Sequence, residues 1–308
     1  MEHIDLSVIV LSYNTKELLK KCLESLSGGC GGSWGGEVII VDNGSTDGSV
    51  GYINELTELR VGRLKIKKIL NKENLGFAKG NNMGLTQAAG RYILFLNSDT
   101  EVFPGSLSEA VDFMEKHPDV GVLTAKTMLV SGKMDPDCHR GFPTPWASIT
   151  YFFGFEKLFP KNKIFGQYHK LYLDLDNNHE IDAGAGAFML IPRKVVDQVG
   201  AWDEKYFFYG EDLDFFYRIK KAGYKVMFYA KPLLKHYKGA SSGLRNESKD
   251  IAKNSKENRI RIAKASVEAM EIFYKKDYKG IDPGWLTSLV LGAIKVKGVF
   301  RVLKHVLS

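Results

Sequence analysis

Four carboxylates in this 308-residue chain stand where chemistry could use them. Asp42 closes the apolar run VIIVD, Asp99 follows the run LFLN, and Glu211 and Asp212 occupy a turn entering a helical pattern. A carboxylate at the carboxyl end of a buried strand, beside a loop, suits a ribose hydroxyl or a divalent metal. Each alone also suits a helix cap or a turn, as the DNGS from Asp42 to Ser45 illustrates. All three sites together, in this order, favour the ligand reading.

The elements that must position them alternate. Short Val- and Ile-rich runs at 5–11, 37–42, 64–70, 92–96 and 120–128 predict buried strands. Between them, helical periodicity predicts helices over 15–26, 79–89 and 105–117, and the glycine-rich segment 28–36 predicts a loop. This order implies an α/β fold, a mostly parallel sheet covered on both faces, with ligands at the carboxyl ends of its strands. From 135 to 178 the pattern weakens, and its aromatic residues suggest a mobile, substrate-facing insertion. Helices over 193–199 and 211–222 and a strand over 225–229 follow.

Composition narrows the classes. Apolar residues make up 44% of the chain, enough for a large core, and Cys22, Cys30 and Cys138 form no CxxC pair. Three lone cysteines argue against a zinc ribbon or a disulfide framework and imply a reducing, cytosolic compartment. The N-terminus shows no secretory pattern, and the apolar stretch 285–294 is too short to span a bilayer. The net charge of +7 is uneven: residues 231–308 carry a surplus of ten positive charges over an acidic body. No HExxH or GxxxxGK[ST] occurs, GAGAFM lacks the third glycine of a dinucleotide fingerprint, and no nucleic-acid module is recognisable.

Several motifs occurring in order resemble the family-2 glycosyltransferases, and within them a bacterial rhamnosyltransferase-like branch. They are SVIVLSYN at 7–14, VIIVDNGSTDGS at 38–49, NLGFAKGNNMGL at 74–85, LFLNSDT at 94–100, GAFML at 186–190, GAWDEKYFFYGEDLDFFYR at 200–218, and His236 in KHYKG. The resemblance implies a GT-A fold and inverting transfer of a sugar from a nucleotide-diphosphate donor, dTDP-rhamnose first, to a glycan or lipid-linked acceptor. A UDP-hexose transferase and a non-catalytic sugar-nucleotide-binding protein are the alternatives. A sugar nucleotidyltransferase would show a glycine-rich, arginine-containing loop after the first strand, which LSYNTKELL does not offer.

The resemblance also assigns roles. Asp42 is expected at the base and ribose of the donor, with Ser12, Tyr13 and Asn14 beside it and Lys79, Asn97 and Ser98 along the nucleotide. Asp99, with His236, is expected to hold Mn²⁺ or Mg²⁺ on the diphosphate; Asn97 replaces an acidic residue of that motif, and the imidazole favours Mn²⁺. Asp212 is expected as catalytic base, with Glu211 binding the acceptor hydroxyl or holding Asp212 in place. Asp214 is read as structural, and Trp202 and Asp203 as acceptor-binding.

The chain divides into a catalytic domain over 1–240, with a nucleotide half over 1–128 and an acceptor half over 129–240, and a basic helical tail over 241–308. A helix over 246–274 has a narrow apolar seam, Ile260, Ala263, Val267, Met270 and Tyr274, expected to pack on the catalytic body. The helix over 285–308 sets Leu289, Val296, Phe300, Leu303 and Leu307 beside Lys297, Arg301 and Lys304. Such a basic amphipathic helix implies peripheral attachment to an anionic membrane, on the cytoplasmic face.

Overall fold

The computed structural model describes residues 4–29, 35–56, 64–239, 256–278 and 280–307. Cys30, the boundary near 240 and the first part of the helix expected over 246–274 lie outside them. The chain runs β1 (Leu6–Ser12), α1 (Lys16–Gly29), β2 (Gly36–Asp42), α2 (Ser49–Glu55), β3 (Leu64–Leu70), α3 (Phe77–Gln87) and β4 (Tyr92–Asn97). It continues with β5 (Thr100–Val102), α4 (Ser106–Lys116), β6 (Val120–Leu129), α5 (Pro145–Phe152), α6 (Phe155–Leu158) and β7 (His179–Ile181). Then come β8 (Phe188–Pro192), α7 (Arg193–Val199), α8 (Glu211–Lys221), β9 (Lys225–His236), α9 (Lys256–Asp277) and α10 (Gly284–Leu307).

One sheet joins the strands in the order β3-β2-β1-β4-β8-β6-β9-β5, with β7 also on β9. The first four strands are parallel throughout, whereas β8 lies antiparallel to both β4 and β6. Period-two alternation sends the two faces into separate cores. Val8, Val10, Val38, Ile40, Leu94 and Leu96 pack toward α1 and α4, while Ile9, Ile39, Val41, Ile93 and Phe95 meet α3, α7 and α8. Both faces being covered explains why these strands read as unbroken apolar runs.

Helix α3 lies unusually near the sheet. A Cβ on Gly80 would stand 2.6 Å from Leu11, and one on Gly84 2.5 Å from Ile9, so two glycines four apart set the approach of α3 to β1.

Three expectations need correction. The segment 135–178 carries α5, α6 and a short 3₁₀ turn at Pro136–Cys138; these pieces are too short to leave a period in the sequence. Helix α1 extends through Gly28 and Gly29, into the expected loop. Strand β9 does not end at Tyr229 but continues to His236, because β6 and β5 offer it ladders on both sides. Its Pro232 sits between two register shifts, where a missing N–H is tolerated. Helix α9 does pack on the catalytic body, but through residues outside the expected seam: Ala269 and Phe273 cluster with Tyr206, and Lys276 pairs with Asp203 and Asp214, while Val267 of the seam faces Gly298 of α10. No helix among the described residues is long and apolar enough to cross a membrane.

Candidate active site

The parallel register brings the carboxyl ends of three strands to one edge. Ser12 pairs across to Asp42, and Leu11 to Asn97. Asp42 is fully buried; its Oδ1 accepts from the backbone N–H groups of Gly44 and Ser45 at 3.1 and 2.8 Å. Its Oδ2 is buried with no hydrogen-bond partner, the condition of an acceptor awaiting a ligand donor. Around it, Ser12, Thr15 and Ser98 form a hydroxyl chain at 3.1 and 2.9 Å. Asn14, at φ +52°, accepts from Thr46 N–H through its side-chain oxygen and donates its own backbone N–H to Ser45 Oγ. Tyr13 is half-buried beside them, and Lys79 is exposed in the first turn of α3.

Asn43 holds this edge together. Its amide donates to Asn74 Oδ1 and the Gly76 carbonyl, while its Oδ1 accepts from Asn71 and from Leu75 N–H. One side chain therefore fixes the ends of β2 and β3 against the start of α3.

A second cluster forms where β5 meets β9. Thr100 pairs with His236, and Tyr237 N–H donates to the Asp99 carbonyl at 2.8 Å. Asp99 Oδ1, buried and outside hydrogen-bond geometry, lies 3.2 Å from His236 Nε2, while Asp135 Oδ2 is 3.7 Å from Nδ1. Burial opposes the imidazolium, but the charges of Asp99 and Asp135 outweigh it and raise the pKa of His236 to about 9. Lys238 in turn is paired to Asp135 and Asp137. No group of three metal-ligating side chains occurs among the described residues. One carboxylate and one imidazole nevertheless fit a divalent cation that draws its remaining oxygens from a diphosphate and water.

The third cluster surrounds Asp212 at the start of α8. Arg140 Nη2 meets Asp212 Oδ2 at 2.6 Å, and Arg140 Nε donates to the Gly184 carbonyl at 3.0 Å. Burial works against the guanidinium charge and Asp212 foremost restores it, so its pKa lies above the ordinary value. Glu211 is buried, with Oε2 unpartnered; burial, then the neighbouring charge of Asp212, pushes its pKa well above the carboxylate range. The pair therefore offers one side chain fixed by Arg140 beside a second whose charged form burial disfavours. Asp212 lies in the wall of a cleft of about 440 Å³ with Arg140, Tyr168 and Tyr209.

Trp202 does not line that cleft, which corrects its reading as an acceptor platform. It is 2% exposed and stands edge-on to Phe77, Phe95 and Phe215, at centroid distances of 5.4, 5.0 and 4.8 Å. Aromatic residues in the α8-facing core needed a large partner, and Trp202 fills that place. Asp203, read with it, spends one oxygen on Lys205 N–H and the other on Lys276. Asp214 is fully buried between Arg218 and Lys276. Burial pushes the Cys22 and Cys138 thiols up to about 12, which leaves no thiolate for chemistry. Sequence reasoning missed Arg140, Asp135 and Lys238. The only trace of Arg140 was a lone cation in the unpatterned HRGF, 72 residues from its partner.

Comparison with known proteins agrees with this geometry. The profile described as Glycosyl transferase family 2 matches residues 7–200. The chain is 26% identical over 270 residues to the N-acetylglucosaminyl-diphospho-decaprenol L-rhamnosyltransferase of Mycobacterium tuberculosis, covering 84% of each. It is 24% identical over 228 residues to the low-salt glycan biosynthesis hexosyltransferase Agl10 of Haloferax volcanii, covering 72% of this chain and 64% of that one. Among solved structures, the mannosyltransferase PcManGT from Pyrobaculum calidifontis in complex with GDP-Man and Mn²⁺ superposes at a TM-score of 0.57 and 16% identity, covering all (100%) of this chain and 74% of that one. S. aureus TarS in complex with UDP-GlcNAc does so at 0.51 and 20% identity, covering 87% and 66%. These likenesses establish the GT-A fold.

Proposed function

The chain belongs to glycosyl transferase family 2, and on that premise we propose that it is an inverting transferase with Asp212 as its base. The observation that carries the reading is the placement of Asp212, held by Arg140 at 2.6 Å in the wall of a cleft large enough for an acceptor. The acceptor hydroxyl gives its proton to Asp212 as its oxygen attacks the anomeric carbon. The bond from that carbon to the diphosphate oxygen breaks on the opposite side, and the nucleotide diphosphate leaves with inversion. One carboxylate suffices for this single displacement.

Arg140 aims the carboxylate, and Glu211 binds the acceptor hydroxyl or holds Asp212 in place. Asp42, with its free buried oxygen, takes a ribose hydroxyl; Ser12, Tyr13 and Asn14 hold the base, while Lys79, Asn97 and Ser98 flank the nucleotide. Asp99 and His236 would hold Mn²⁺ or Mg²⁺, which would supply positive charge to offset that growing on the diphosphate.

The sugar is rhamnose from a dTDP donor, a choice supported by the mycobacterial relative, whose name also supports a lipid-linked acceptor in cell-surface polysaccharide synthesis. A UDP-hexose is the second reading, supported by the haloarchaeal hexosyltransferase. We place the protein on the cytoplasmic face of an anionic membrane, held by α10. Exposed Leu289, Val296, Phe300 and Leu303, with Lys304 beside Phe300, support that placement.

The test is release of nucleotide diphosphate from dTDP-rhamnose, UDP-glucose, UDP-galactose and UDP-N-acetylglucosamine, with Mn²⁺, Mg²⁺ or EDTA. Turnover of one donor that stops in EDTA and in Asp212→Asn is the expected result. Silence with all four, even with membrane extract supplied as acceptor, overturns the proposal.

A further inference from the structure

The cleft at Asp212 does not end at the base. It runs outward between α5, α9 and α10, past Ile149 and Phe153 on one side and Leu289 and Ile294 on the other, and reaches Lys297 and Arg301. There it opens into a shallower depression of about 560 Å³, where Lys304 and Phe300 join them. The corridor is therefore apolar along its length and ionic at both ends.

The two ends differ in one respect. At the inner end Asp212 is matched by Arg140. At the outer end Lys297, half-buried, lies 5.2 Å from the centre of the Phe152 ring, next to Arg301. Among the described residues neither cation, nor Lys304, is in an ion pair. Burial, and then the charge of Arg301, lowers the pKa of Lys297. Two like charges beside apolar walls with no counterion are unfavourable, and an anion seated between them relieves both costs.

We propose that this corridor seats the lipid phosphate of the acceptor. The acceptor's sugar hydroxyl reaches Asp212, its phosphate ester lies on Lys297 and Arg301, and its hydrocarbon chain leaves along the apolar side chains of α5 and α10. The sugar end of this assignment rests on the transferase reading; the phosphate end does not. A bilayer headgroup is a poorer occupant, because Lys297 lines the same cleft as the base and is not fully exposed.

The experiment titrates the full chain with farnesyl phosphate by calorimetry, with UDP and dTDP in excess to fill the donor site. Saturable binding is expected, with inorganic phosphate weaker by roughly tenfold or more. The double variant Lys297→Ala/Arg301→Ala should lose roughly tenfold or more in affinity, as expected for two charge-assisted contacts. Lys295→Ala, which removes the same charge on the side facing Glu271, should bind as the parent does. Circular dichroism establishes that the variants fold; if the double variant does not, Leu289→Glu, which puts an anion in the apolar wall, should weaken binding similarly. Equal binding by the parent and the cleft variants overturns the inference. So does a double variant that keeps farnesyl phosphate yet no longer binds phosphatidylcholine vesicles containing phosphatidylglycerol, because the cations then serve the bilayer surface. The donor assay on the parent chain is separate: its failure alongside Lys297-dependent binding removes the transferase reading and leaves the lipid-phosphate site.

Discussion

The Asp42 edge, which we propose holds the donor, and the side formed by α5 and α10, which we propose meets the acceptor, are finished to different degrees. At the donor edge, Asn43 alone satisfies four groups of the connection between β3 and α3, and the oxygens of Asn14 and Asp42 already accept backbone N–H groups. On the acceptor side, the segment 146–164 and helix α10 leave large apolar side chains in solvent, Phe153 at 67% and Phe300 at 70% exposed. A nucleotide is small and invariant, and a site closed in advance by the chain itself binds it without ordering cost. The acceptor side remains apolar and open, which is how a surface looks when a partner completes it.

The comparison can be broken in order of effect. Asp212→Asn, at the seam between the regions, should lower kcat by about 10²–10⁴-fold while leaving nucleotide affinity within about twofold; steady-state kinetics and calorimetry separate the two. If nucleotide affinity falls as far as kcat, the regions are not independent. Trp202→Ala empties a place in the closed core and should cost about 3–5 kcal/mol in urea unfolding.

His139 sharpens the contrast next. It is buried, with Nε2 2.6 Å from His179 Nε2, and burial followed by the charge of His179 lowers its pKa from 6.5 to about 4. The unfolded chain binds the proton more readily, so stability present above pH 6.5 is lost as the pH falls toward about 4, by about 3 kcal/mol at most. Thermal melts of the parent against His139→Leu should show that slope only in the parent. Phe153→Ser should change stability by no more than about 0.5 kcal/mol and show its effect only in acceptor KM. A stability loss as large as that of Trp202→Ala would mean that the exposed face is core after all.

The donor half was largely legible because its signals are local. A strand covered on both faces is a continuous apolar run, and a loop at its end is a cluster such as DNGS, so Asp42 and Asp99 could be found from their neighbours. Arg140 could not, because its meaning lies in Asp212 and Gly184, and a lone arginine in an irregular stretch carries no period. Trp202 failed for a related reason: an aromatic before an acidic turn looks the same whether it faces a sugar or a core. The extension of β9 to His236 was set by its neighbours β5 and β6, and pairing overrides local preference.

The β5–β9 ladder has a consequence for the order in which the protein can be completed. Asp99 is made with the first third of the chain, but His236, which meets it, is made 137 residues later. The residues that form the Asp42 edge, from Ser12 to Gly76, are all synthesised while β9 is still to come. The Asp99–His236 pair must wait until β9 has emerged, so on the growing polypeptide the Asp42 edge has all its residues before that pair does.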